Sequence, residues 1–262
     1  MQDASSRFRN ALSIGAAASW LAFAGVSTAG AQEDIEPDAT TVLAGMSKYL
    51  GELQSFSADY DVDIDTISDD GQKLQFSSSG EITVQRPDKL YATREGAFAD
   101  AEIVLDGKNI SVLGKELNGY LQFPAATIEE AVDAVRDNTG FDAPGADLLG
   151  ARPLDLEVTD VVSGVHVGMA FVDGIEAHHL AFRGKAVDWQ LWVQAEGDPL
   201  PLKYVITSKW VYGAPEYTLR LSAWNTGPEI PTDLFVFAPP ADAKLLESVE
   251  IDDTGQYINE AE

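Results

Sequence analysis

The side chains here that could do chemistry are few, and their spacing works against it. Asp61-Val62-Asp63-Ile64-Asp65 opens with the rhythm of a calcium-binding loop. The match then fails: Thr66 stands where the sharp turn needs Gly, and Gln72 where a bidentate Glu is needed. The same alternation describes the wet face of a β-strand, which is the preferred reading. The histidines are His166, His178 and His179. A zinc site needs several convergent ligands, and neighbouring strand residues point to opposite faces, so His178 and His179 are a poor chelating pair. His178 keeps step with Leu180 and Phe182 and is expected to face inward as a hydrogen-bonded core residue. Ser163 and Ser222 lack a nucleophile elbow or a histidine signal nearby. Glu129-Glu130 falls in the first turn of an expected helix, where the dipole favours acids in any case. The chain has no Cys, which removes thiolate nucleophiles and thiolate metal sites. The expectation is a protein that is not an enzyme and uses no metal and no cofactor.

What remains is apolar surface. In the stretch 187–225, Val187, Trp189, Leu191, Val193 and Ala195 alternate with Asp188, Gln190, Gln194 and Glu196. Leu202, Tyr204, Ile206 and Trp210 then alternate with Lys203, Thr207 and Lys209, and Glu216–Asn225 continues the pattern. A period of two sustained over such lengths means long antiparallel strands with one dry face. Tyr60, Trp189, Tyr204, Trp210 and Tyr217 all fall on dry faces.

The elements that must position these residues follow from the rest of the pattern. Val42, Leu43, Met46, Leu50 and Leu53 recur at helical spacing, predicting a helix over Thr40–Leu53 capped by Asp38 or Thr40. Phe56 to Ile64 and Leu74 to Val84 alternate around a Ser68-Asp69-Asp70-Gly71 turn. Shorter strands are expected at Asp88–Thr93, Glu102–Leu105, Asn109–Leu113 and Tyr120–Phe123. Thr127–Asn138 reads as a second helix, with Thr127 and Glu130 forming a capping box and Gly140 ending it. Strands resume at Leu154–Val162, Val165–Val172 and Glu176–Arg183, and Phe235–Phe237 reads as a last one before a loose acidic tail from Ala241. The fold class is mainly β (α+β): a strongly curved antiparallel sheet of about eleven strands forming an incomplete barrel, with helices covering its mouth.

The N-terminus resembles a secretory signal. Arg7 and Arg9 precede an uncharged apolar run from Leu12 to Val26, and Ala29-Gly30-Ala31 offers a cleavage site ahead of Gln32. The expected organisation is a signal peptide over 1–31, a linker over 32–39, one domain over 40–245 and an acidic tail over 246–262. A formal net charge of −26 argues against nucleic acid as a partner.

Gly80-Glu-Ile-Thr-Val-Gln-Arg86-Pro87-Asp88-Lys-Leu90, followed by Ile103-Val-Leu-Asp106-Gly107-Lys108, resembles the first half of the periplasmic lipoprotein carrier and its relatives. Asp188-Trp-Gln-Leu-Trp192, Pro199-Leu-Pro201-Leu-Lys203, Ile206-Thr207, Trp224 and Phe235-Val-Phe-Ala-Pro239-Pro240 resemble a narrower bacterial family, domain of unknown function 2092, predicted to be periplasmic. The carrier resemblance implies an incomplete β-barrel covered by helices that holds acyl chains or other lipids, with Arg94 as a match for the carrier's inward arginine. This chain departs from the carrier in being strongly acidic. Without a Cys, it is not itself a lipoprotein.

These readings converge on a periplasmic binding or carrier protein for an acyl chain, a lipid or the lipid moiety of a lipoprotein. Trp189, Leu191, Tyr204, Ile206, Trp210, Leu219 and Leu221 are expected to line one wall, Ile82, Val84 and Tyr91 another, and Ile128, Val132 and Val135 the lid. The expected partner is a hydrophobic small molecule, with transient membrane contact and a monomeric chain. The alternative is an envelope scaffold or protein-interaction module whose cavity is filled by its own side chains.

Overall fold

A computed structural model of the chain describes residues 34–97, 100–141, 143–154, 156, 160–247, 249–251 and 257–258. The expected signal peptide lies outside these residues. Helix α1 (Pro37–Glu52) opens with proline in its first turn, where a missing N–H costs nothing. It starts earlier than its apolar spacing suggests, and neither Asp38 nor Thr40 caps it. Thr40 and Thr41 instead donate their hydroxyls back to the Glu36 and Pro37 carbonyls at 3.3 and 2.8 Å.

Strands β1 (Ser55–Ile67), β2 (Lys73–Gln85), β3 (Lys89–Gly96), β4 (Ala101–Leu105), β5 (Asn109–Gly114) and β6 (Gly119–Pro124) follow as an antiparallel meander. Helix α2 (Ile128–Thr139) comes next. Thr127 Oγ1 accepts from the Glu130 N–H at 3.2 Å, and Gly140 ends the helix in the left-handed region at φ 73°. The Glu130 carboxylate reaches one residue past the cap, to the Ala126 N–H at 2.8 Å. A 3-10 turn over Pro144–Leu148 completes the insertion.

A second meander runs through β7 (Ser163–Val172), β8 (Ile175–Arg183), β9 (Val187–Gln194), β10 (Pro201–Ser208) and β11 (Glu216–Asn225). The two meanders join where β1 pairs with β11, and the two-residue β12 (Lys244–Leu245) adds in parallel to β6. The result is a single curved 12-stranded sheet in the order β12-β6-β5-β4-β3-β2-β1-β11-β10-β9-β8-β7. Both helices lie against it, α1 beside β7–β9 and α2 beside β5 and β6.

Three local expectations are corrected. No strand forms among the described residues of Leu154–Val162: Leu154 is buried in a turn at φ 50°, which breaks the extended backbone. Phe235–Phe237 is not a strand either. Phe235 closes a turn and is buried, while Phe237 packs on Tyr120 at 5.3 Å. The stretch after Ala241 is partly tied down, because the Lys244 and Leu246 N–H groups donate to the Asn118 and Tyr120 carbonyls. Beyond it, β13 (Glu250–Ile251) and β14 (Tyr257–Ile258) form a small hairpin.

Candidate functional site

The concave face of the sheet is closed in two different ways. Under α1 it is filled. Leu43, Met46 and Leu50 come down from the helix onto Leu180, Phe182, Trp189, Leu191 and Val193, all buried. Phe182 and Trp189 stack at 4.1 Å, and Trp189 meets Tyr204 edge-on at 6.0 Å. Large rings and branched chains, all buried, occupy the space between the layers.

Under α2 the sheet bounds a partly open cavity of about 250 Å³. Its floor is formed by Phe56, Tyr60, Val62 and Ile64 of β1, Ser78 and Ile82 of β2, Leu90, Ala92 and Arg94 of β3, and Ile103, Leu105, Ile110 and Val112 of β4 and β5. β11 adds Tyr217, Leu219, Leu221 and Trp224. The roof is Ile128, Ala131, Val132, Val135 and Thr139 of α2, together with Phe141, Ala143, Gly145, Ala146, Leu148 and Leu149. The hollow follows from residue size: Ala92, Ala101, Ala131, Ala143, Gly145 and Ala146 stand where the α1 side carries leucines and rings. A largely apolar space of this kind accepts apolar guests.

The polar groups of the cavity gather at one end. Cross-strand pairs place Ile64 beside Tyr217, whereas Phe56 and Trp224 meet at the other end, 5.6 Å apart. Tyr60 donates to the Thr93 carbonyl at 2.6 Å. Gly80 makes that possible, because a Cβ there would come within 2.8 Å of the Tyr60 hydroxyl. Burial pushes the Tyr60 phenol up to about 12, with Arg94 pulling the other way. Burial likewise raises Tyr217 and Tyr204, so all three stay neutral donors across the ordinary pH range.

A second arginine holds the roof. Arg86, at the start of the β2–β3 turn, donates through Nε to the Leu53 carbonyl at 3.1 Å and through Nη2 to Leu50 at 3.3 Å, and Nη1 reaches Leu149. Its guanidinium also lies 5.7 Å from the Phe56 ring. One side chain thereby ties the C-terminal end of α1 to the segment that roofs the cavity. Burial pulls its pKa down, and the nearby Glu129 carboxylate opposes that shift.

Of the residues expected from the sequence, Ile82, Ile128, Val132, Val135, Leu219 and Leu221 line the cavity. Val84 shares a cross-strand row with Phe56 and Leu90 but is wholly buried in the core without lining the hollow. Trp189, Leu191 and Tyr204 belong to the filled side, and Ile206 packs half-buried against the same core. Tyr91 lies on the opposite face, in the row Thr83–Tyr91–Val104, because Leu90 and Ala92 take the inward positions. Leu90-Tyr91 offers two adjacent apolar residues, and alternation alone does not choose between them. Trp210 is 80% exposed: β10 ends at Ser208, so the alternation was extended past the end of the strand. Leu202 also leaves its expected row, since a bulge between Pro201 and Lys203 turns it into a small cluster with Val172 and Ala177.

Missing from the expected set are Phe56, the β4–β5 aliphatics and the segment 141–149, whose only sequence signal is the apolar pair Leu148-Leu149. Arg94 lines the cavity as well. The histidines do other work. His166 Nε2 and His178 Nδ1 are 3.0 Å apart, and His179 stacks on Trp192 at 4.2 Å. Among the described residues no three His, Cys, Asp or Glu side chains converge to hold a metal.

Residues 39–248 match the family described as "Predicted periplasmic protein (DUF2092)". No curated protein matches the chain in sequence. Among solved structures, LprF from Mycobacterium bovis is similar at a TM-score of 0.50 and 16% identity, covering 76% of this chain and 98% of its own. Lipoprotein LppX from Mycobacterium tuberculosis gives a TM-score of 0.47 at 14% identity, covering 75% of this chain and 100% of its own. A LolA superfamily protein from Nitrosomonas europaea gives 0.32 at 10% identity, covering 76% and 97%. At these identities the likeness to LprF speaks to the fold.

Proposed function

The chain belongs to the DUF2092 family of periplasmic proteins, and on that premise we propose that it binds and carries a hydrophobic ligand, an acyl chain or lipid, in the cavity beneath α2. The observation that carries this reading is the hollow itself: about 250 Å³ of apolar space left between a β floor and a helical roof. A protein whose interior served packing alone would gain several kcal/mol from closing a void of that size. Small side chains on floor and roof keep it open instead.

The chemistry available is burial rather than reaction. About a dozen methylenes at ~0.8 kcal/mol each set an upper bound near 10 kcal/mol. Ordering the chain and moving the roof reduce this toward micromolar affinity, which suits a protein that must release its load. The 144–149 segment, which Arg86 holds to α1, roofs the site.

The test is native mass spectrometry of protein purified from the periplasm, followed by lipid extraction and titration with the neutral dye N-phenyl-1-naphthylamine. Co-purifying lipid or saturable dye uptake that a C16 amphiphile reverses supports the carrier. A ligand-free protein that takes up no dye overturns it and leaves the second reading, a scaffold or interaction module. That reading draws on the solid packing beneath α1.

A further inference from the structure

We propose that the cavity selects amphiphiles with an anionic head, a carboxylate or a phosphate, and that Arg94 receives that head. This rests on the reading of the cavity as a ligand site. Among the described residues that line it, Arg94 is the one side chain with a full charge, and that charge is positive in a chain with 43 acidic and 17 basic residues. The electrostatic sign of the lining is thus opposite to that of the molecule around it.

Arg94 also stands at the right end. It pairs with Ala101 beside the β3–β4 turn, on the side of the cavity that holds Tyr60, Ser78 and Tyr217, and away from the Phe56–Trp224 pair. The cavity therefore has a polar pole and an apolar pole, the layout of a head and a tail. Glycines let the polar side chains at this pole pack closely on the backbone. A Cβ on Gly96 would lie 3.2 Å from Arg94 Nη1, and one on Gly145 would lie 2.9 Å from the Tyr217 hydroxyl.

The donors there are unequal. Tyr60 commits its proton to the Thr93 carbonyl. Burial raises the Tyr217 pKa, so its hydroxyl stays protonated and able to donate. Guanidinium and phenol together suit an oxyanion, because charge-assisted hydrogen bonds to arginine are shorter and stronger than those a neutral head forms. Asp147, exposed on the roof, also acts on Tyr217 but does not line the cavity.

The test displaces N-phenyl-1-naphthylamine from the full protein with four C16 competitors below their micellar concentrations: palmitate, hexadecyl phosphate, hexadecanol and hexadecyltrimethylammonium. The expected result is that at least one acid competes about tenfold or more better than the alcohol, and that the cation is weakest. Which acid is stronger identifies the head. Arg94→Met is expected to bring the acid-to-alcohol ratio down to about one, and Arg94→Lys to keep most of it, with thermal melts verifying that each variant folds. Equal competition by acid and alcohol in the unaltered protein overturns the head assignment and leaves the cavity reading intact. Failure of every competitor and of the dye overturns both. An acid preference that survives in a folded Arg94→Met, or that is lost equally in Arg94→Lys, overturns the role of Arg94. If Arg94→Met does not fold, Arg94→Lys alone decides.

Discussion

Beneath α1 the sheet meets its helix with Leu180, Phe182, Trp189 and Leu191, and beneath α2 with Ala92, Ala101 and Ile103 against Ala131 and Gly145. Strand pairing runs unbroken between the two regions, with a register shift between Ser57 and Asp59 at the seam, and both faces are apolar. Side-chain volume is what differs. The comparison teaches that one sheet can be core at one end and container at the other, with alternation common to both and only residue size telling them apart.

The strongest way to break this contrast is to make the same truncation on both sides. Leu191→Ala, from a fully buried position beneath α1, should cost about 3–5 kcal/mol in urea unfolding. Leu219→Ala, from the edge of the hollow, should cost nearer 2 kcal/mol, because part of that side chain already faces empty space. Equal costs would mean the two regions are packed alike. Arg86→Met removes the donor that the Leu50, Leu53 and Leu149 carbonyls share. A loss of about 2–3 kcal/mol is expected, with faster amide exchange over 144–149 than over α1. Unchanged exchange there would remove Arg86 as the tie between the regions.

Filling the container sharpens the contrast from the other direction. Ala131→Leu places a branched side chain from α2 into the hollow. Stability should stay within about 1 kcal/mol of the unaltered protein while dye uptake falls at least about tenfold. Uptake that persists would put the ligand elsewhere. The smallest effect lies outside both regions. Asp63 accepts from Ser77 at 2.6 Å and pairs with Arg220 at 2.9 Å, and these contacts, the Ser77 bond foremost, hold its carboxyl below the usual range. A carboxylate whose pKa is lower folded than unfolded adds stability above its unfolded value and loses it as pH falls through the folded one. Ser77→Ala should therefore cost a small amount of stability at neutral pH, with the difference from the unaltered protein vanishing as pH falls through the folded Asp63 value, measured by urea unfolding followed by circular dichroism.

Much of this architecture was legible in the residues. Alternation in Phe56–Ile64 and Val187–Val193 identified an apolar strand face in each meander, and the Thr127–Glu130 cap fixed the start of α2. The alternation misled where it was ambiguous or overrun, at Leu90-Tyr91, at the Leu202 bulge and past Ser208. The site was less legible than the fold for a physical reason. A cavity is set by which walls face each other, and the β1–β11 seam that decides this joins residues as far apart as Asp63 and Arg220, 157 positions along the chain. No local period carries that information.

The seam also has a meaning for how the molecule comes into being. During export the N-terminal half emerges first, and β1 then offers one long edge with no neighbour until the last long strand arrives. Asp59, Asp61, Asp63 and Asp65 stand along that waiting strand. A file of like charges disfavours pairing with a copy of itself, and in the folded chain Arg220 pairs with Asp63 at 2.9 Å.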